Sequence, residues 1–213
     1  MAGYTKKDIS KLCKGRTAEQ QAVIKYFLTG GCLSKTMSDQ EYDSLVQQKV
    51  KSMNFKQRAL NKIGLDESEV SEIPPVHFEG YHFDERKTFA KPGQDRKWRS
   101  SAYQVSWIFF SDTQVYLYQY TLNMDEDSKK EITEEYFYKD VTAVATASDT
   151  IEKADVLEKV NCKGEATYSR RTIDTDLFKL ATSGGSFFCA MDSGSVSEDV
   201  IQGMKAKLRE KKL

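Results

Sequence analysis

Proline and glycine are scarce: 3 and 12 residues in a chain of 213. That scarcity excludes collagen-like and low-complexity classes. Long apolar runs are also missing, since stretches such as residues 107–110 fall far short of the roughly 20 residues of a spanning helix, and the chain reads as not integral to a membrane. Neither charge dominates, with 32 Lys and Arg against 32 Asp and Glu. No overall field therefore recruits nucleic acid or an anionic membrane, and any such attraction has to come from a local patch. The four cysteines, Cys13, Cys32, Cys162 and Cys189, form no CxxC pair and have no histidine at ligand spacing, which leaves no zinc framework. Residues 1–12 contain Lys6, Lys7, Asp8 and Lys11 where a secretory leader needs an apolar core. Reduced cysteines in a soluble, cytoplasmic protein are the expectation, with no cofactor.

Chemistry-bearing motifs are equally thin. The only histidines, His77 and His82, lie near Glu79 and Asp84. On a strand His77 shares a face with Glu79, and His82 with Asp84, so the four do not converge unless the chain turns at Gly80. A half-buried edge segment is the plainer reading. There is no Gly-rich phosphate loop, nucleophile elbow or HExxH, and the adjacent Glu134 and Glu135 point to opposite faces of a strand. Catalysis is not expected.

What is present is pattern. Residues 5–70 carry helical signals: an apolar stripe at Ala22, Val23, Ile24, Tyr26 and Phe27 stopped by Gly30 and Gly31, and a capping box Ser38-Asp39-Gln40-Glu41. The box opens a helix with Tyr42, Leu45, Val46, Lys49 and Met53 on one side. A third helix runs from Phe55 to Ile63 and stops at Gly64, and Asp66 to Glu69 can open a further turn. Pro74-Pro75 breaks the series. The helical N-terminal region thus spans residues 1–72, with apolar stripes too thin for an isolated bundle, and should dock on a sheet or a partner chain.

Beyond the break the period changes to two. Residues 76–89 read as one or two short strands turning at Gly80, and Lys91-Pro92-Gly93-Gln94-Asp95 as a turn with Gly93 taking positive φ. Two alternating runs flank Asp112-Thr113. With those two as the hairpin loop, Phe109 falls opposite Tyr116, Trp107 opposite Tyr118, Val105 opposite Tyr120 and Tyr103 opposite Leu122, giving one large apolar face. Strands follow near residues 132–138 and 141–147, then an ambiguous stretch at 148–158, a polar strand at 165–171, and a hairpin around Gly184-Gly185 that sets Phe178 opposite Met191, Leu180 opposite Cys189 and Thr182 opposite Phe187. Cys189 then fills the core rather than reacting. Ser195 to Glu198 is a second capping box, opening a helix with Val200, Ile201, Met204 and Leu208 in a stripe and a basic, solvated C-terminal end.

About seven antiparallel strands closed by one amphipathic helix resemble the pleckstrin-homology-like fold. The resemblance rests on residues 98–110, on the aromatic-Lys-Asp-Val-Thr step at 136–144, which is similar to one in bacterial members, and on residues 178–189 with the final helix. The expected class is α+β: the helical N-terminal region, then a pleckstrin-homology-like antiparallel barrel or sandwich over residues 76–213 with its helix as cap. The resemblance implies a non-catalytic interaction module, most directly for a protein partner or for self-association. The candidate contact patch is Arg86, Lys87, Lys91, Arg96, Lys97, Trp98 and Arg99, whose cations and aromatic ring also suit an anion. The alternative is therefore a phospholipid head group or single-stranded nucleic acid at the 86–99 loop. Base stacking on Tyr116, Tyr118 and Tyr120 requires those rings to be exposed, whereas the hairpin register places them in the core, so nucleic acid is the weaker choice.

Overall fold

A computed structural model of the chain describes residues 4–30, 36–70, 74–84, 88–161, 165–192 and 198–211, with the side chains of 198–200 and 207 excepted. The capping box at Ser195 to Glu198, Gly31, Cys32, Cys162, Arg86 and Lys87 are thus wholly or partly outside the described residues. The described elements are α1 (Lys6–Cys13), α2 (Ala18–Leu28), α3 (Asp39–Ser52), α4 (Phe55–Ile63), β1 (Val76–His82), β2 (Ala90–Pro92), β3 (Trp98–Ser100), β4 (Ala102–Phe110), β5 (Gln114–Asn123), β6 (Lys129–Phe137), β7 (Val141–Val160), β8 (Ala166–Thr182), β9 (Gly185–Met191) and α5 (Glu198–Glu210).

The helices begin where side chains satisfy their orphan amides. Ser38 caps α3 with Glu41 reaching back, and Thr5 with Asp8 and Thr17 with Gln20 do the same for α1 and α2. Gly64 ends α4 at φ +82°, a left-handed conformation that favours glycine. These helices cover one face of a four-stranded antiparallel sheet ordered β1-β4-β5-β6. Val23, Phe27, Tyr42, Phe55 and Leu60 share a core with Tyr103, Val105, Phe109, Tyr116, Tyr118, Tyr120 and Leu122. The β4–β5 register is the expected one at all four pairs. Each buried ring or branched chain contributes on the order of 1.5–3 kcal/mol. Ion pairs and polar contacts tie the layers at the edges: Arg16 to Glu126 at 2.8 Å, Arg58 to Glu131 at 2.9 Å and Gln20 to Asp127 at 2.7 Å.

The opposite face of the same sheet is buried too. Phe78, Ile108, Phe110, Val115 and Leu117 of the central sheet meet Phe178, Leu180, Phe187 and Cys189 of the three-stranded β7-β8-β9 sheet, with Met204 and Leu208 of α5 closing the end. The result is an α+β architecture of helices, a central sheet and a second sheet, sandwich-like rather than a closed barrel.

Several local expectations change. Gly80 is not a turn: β1 runs straight through it, and the missing side chain lets β9 approach, since a Cβ there would lie 2.9 Å from the backbone nitrogen of Asp192. Beside it the Asp192 amide donates to the Glu79 carbonyl at 3.0 Å. At the β2–β3 turn the positive φ falls on Arg96, at +65°, not on Gly93; a Cβ on Gly93 would collide with the Arg99 guanidinium. The hairpin at Ser183-Gly184 is two residues tighter than expected, pairing Phe178 with Cys189, Leu180 with Phe187 and Thr182 with Gly185. A slip of two keeps every side chain on its face. The ambiguous 148–158 stretch is strand throughout, so β7 and β8 form one long arm, with register shifts between Val141 and Ala143, between Lys153 and Val156 and between Leu157 and Lys159. Such irregularities bend a strand. Beyond them the arm reaches the helices, where the Tyr168 hydroxyl donates to the Leu28 carbonyl at 2.8 Å and Tyr4 packs edge-on against Tyr168.

Candidate functional site

The two sheets leave a cleft of about 790 Å³ beside the β2–β3 hairpin. The hairpin supplies Arg96, Lys97 and Trp98; β1 and the residue after it supply Tyr81, His82 and Phe83; the second sheet supplies Asp149, Asp174, Asp176, Leu177 and Phe188. Tyr103 and Gln104 of β4 also line it.

The sequence-derived patch divides here into three groups. Arg96 and Lys97 are exposed at the cleft, Trp98 is half-buried beside them, and neither cation forms an ion pair among the described residues. Arg99 also borders the cleft but its guanidinium is occupied. With the side chain only 4% exposed, it donates to Asp43 at 2.8 and 2.7 Å and to Asp95 at 2.9 and 3.0 Å. Burial pushes the Asp43 carboxyl up, yet the bonds from Arg99 and Tyr81 outweigh it and hold the group below its ordinary range. Arg99 therefore clips the hairpin to α3. Lys91 points away: its ammonium sits 4.3 Å from the centre of the Tyr26 ring and donates to the Tyr26 carbonyl, where burial lowers its pKa.

The same cleft is lined by carboxylates that no motif or spacing places there. Asp149 accepts from the Thr150 amide at 2.9 Å, Asp174 from the Thr150 hydroxyl at 2.8 Å and Asp176 from the Ser148 hydroxyl at 3.0 Å. None of the three pairs with a cation among the described residues. Asp149 lies in the stretch of ambiguous strand character and Asp174 and Asp176 lie between two expected strands, so no spacing signal brings them to the hairpin. Phe188 is 44% exposed, one of two large apolar side chains that stand out among the described residues. Burial pushes the His82 ring below its ordinary value, which keeps it neutral near pH 7. The Asp192 carboxyl is pushed up by burial.

No metal-ligating cluster of three His, Cys, Asp or Glu occurs among the described residues. His77 instead stacks on Trp107 and lies 3.4 Å from Glu79. Tyr116, Tyr118 and Tyr120 are buried under the helices, which removes the stacking surface that a single-stranded nucleic acid needs there. No described helix is long and apolar enough to cross a membrane. No family model, curated protein or solved structure matches the chain.

Proposed function

We propose that this chain is a non-catalytic interaction module of pleckstrin-homology-like architecture that holds an extended segment of a protein partner in the cleft. The order of elements supports the architecture: four antiparallel strands, then three, then a helix packed on the second core. The carrying observation for the partner is the pairing of opposite charges across one cleft, with Arg96 and Lys97 from the hairpin, Asp149, Asp174 and Asp176 from the arm, and exposed Phe188 at its border beside Lys179. A peptide with acidic and basic side chains around an apolar anchor satisfies both walls. A phosphate or nucleic-acid strand satisfies only two cations and meets three carboxylates, so the anion reading is the weaker one.

The test replaces Phe188 by a photo-crosslinking phenylalanine analogue in the full chain, in its producing cells, with the same analogue at exposed Phe137 as control. Discrete protein adducts from position 188 alone, abolished by Arg96→Glu with Lys97→Glu, are expected. Adducts to lipid or nucleic acid, or protein adducts indifferent to the charge reversal, refute the proposal.

A further inference from the structure

The two sheets expose outer strands of opposite character. β6, the outer strand of the central sheet, carries Lys129, Lys130, Glu131, Glu134 and Glu135, the kind of charge that keeps a strand edge from pairing with another chain. β7, the outer strand of the second sheet, carries one charged residue, Asp149, between positions 141 and 151, and no proline. The rest of that stretch is Val, Thr, Ala, Ser and Ile, mostly suited to a pleated edge. Thr142, Ala143, Thr146 and Ser148 are exposed, and among the described residues no backbone hydrogen bond leaves positions 142–151 except to β8.

Beside the first residues of this edge lies a groove of about 330 Å³, floored by residues 141–144 and walled by Gln202, Lys205, Leu208 and Arg209 of α5. Lys205 and Arg209 form no ion pair among the described residues.

We infer that β7 pairs antiparallel with β7 of a second copy about a two-fold axis at Thr146, joining two three-stranded sheets into one of six strands. The edge is self-complementary in that register. Ala145 falls opposite Ala147, Val144 opposite Ser148 and Ala143 opposite Asp149, with the irregularity between Val141 and Ala143 ending the ladder on each side, so no like charges face each other. Because Ala143 floors the groove, the Asp149 carboxylate of each copy arrives beside Lys205 and Arg209 of the other, and the symmetry makes the attraction twice. Asp149 is shared with the cleft, but Arg96, Lys97 and Phe188 lie off the β7 edge, so Arg96→Glu with Lys97→Glu should leave the pairing intact and separates it from the cleft reading.

The experiment is sedimentation equilibrium of the full chain from about 1 µM to about 1 mM, the span of ordinary weak to moderate self-association, with hydrogen exchange of residues 142–150 followed over the same range. A monomer–dimer equilibrium is expected, with exchange at 142–150 slowing as dimer accumulates. Thr146→Lys and Thr146→Glu should each be monomeric with unchanged circular dichroism, and their equimolar mixture should recover a heterodimer. Asp149→Asn should raise the dimer Kd several-fold and remove its dependence on salt. A chain that stays monomeric throughout, including one whose edge takes up an acidic peptide instead, overturns the inference. So does a dimer that survives Thr146→Lys.

Discussion

Replacing Arg99 by Met keeps most of the side-chain volume and removes the fork that joins the β2–β3 hairpin to α3. Four bonds of 2.7–3.0 Å to Asp43 and Asp95 disappear. Breaking a buried ion pair costs about 3–5 kcal/mol, but Asp43 and Asp95 are 41% and 44% exposed, so water takes over part of their solvation and about 2–3 kcal/mol remains. At a urea slope near the upper end for small proteins, that lowers the denaturation midpoint by about 1 M. The pH profile adds a second reading. The Arg99 bonds hold the Asp95 carboxyl down at about 2, below its ordinary value near 4. A depressed carboxylate contributes stability that is complete above its unfolded pKa and is lost as pH falls through its folded one. The gap between wild type and Arg99→Met should thus be full at pH 6 and shrink from about pH 4 to about pH 2. Arg99→Lys retains charge without the planar fork and should recover less than half of the loss. A midpoint shift under about 0.3 M at pH 6, or a gap that stays constant into acid, refutes the clip.

Gln104→Ala removes the carbonyl that accepts from the Ala190 amide at 2.8 Å and should cost about 1–3 kcal/mol, with faster hydrogen exchange at Ala190 as the diagnostic. Exchange at Ala190 unchanged from wild type rules out that role for the glutamine. Burial pushes the Cys189 thiol up to about 12, so N-ethylmaleimide followed by peptide mapping should leave Cys189 unmodified in native protein at pH 8 and label it fully in guanidinium; native labelling would contradict its place in the core.

The legible parts of the fold were those governed by local rules. The Ser38 box, the Gly64 stop and the β4–β5 register each depend on residues close in sequence, and each stands as read. Gly80 and Gly93 depart from the local expectation because their reasons lie elsewhere in the chain: a strand more than a hundred residues later passes over Gly80, and a guanidinium six residues on fills the space at Gly93. Burial of the second face of the central sheet is likewise not legible from local pattern. Gln104 and Ser106 interrupt its apolar character, yet both are buried because polar side chains there serve the neighbouring sheet: Gln104 and Gln119 satisfy the backbone of β9, at the Ala190 amide and the Phe188 carbonyl. For the site, the Arg96-Lys97-Trp98 wall was legible as a charge cluster, whereas Asp149, Asp174 and Asp176 reach the cleft only through the fold of the long arm.

The reach of that arm sets an order of events during synthesis. Tyr168 seats on Leu28, 140 residues earlier in the chain, and Leu157 and Val160 pack near Gly30. The helices leave the ribosome long before the strands that cover them exist, and contacts of such sequence separation are slow to close. The apolar flank of α2 must then wait through most of translation, so the nascent chain has a window in which a chaperone, or a neighbouring polysome, meets that flank before its own arm does.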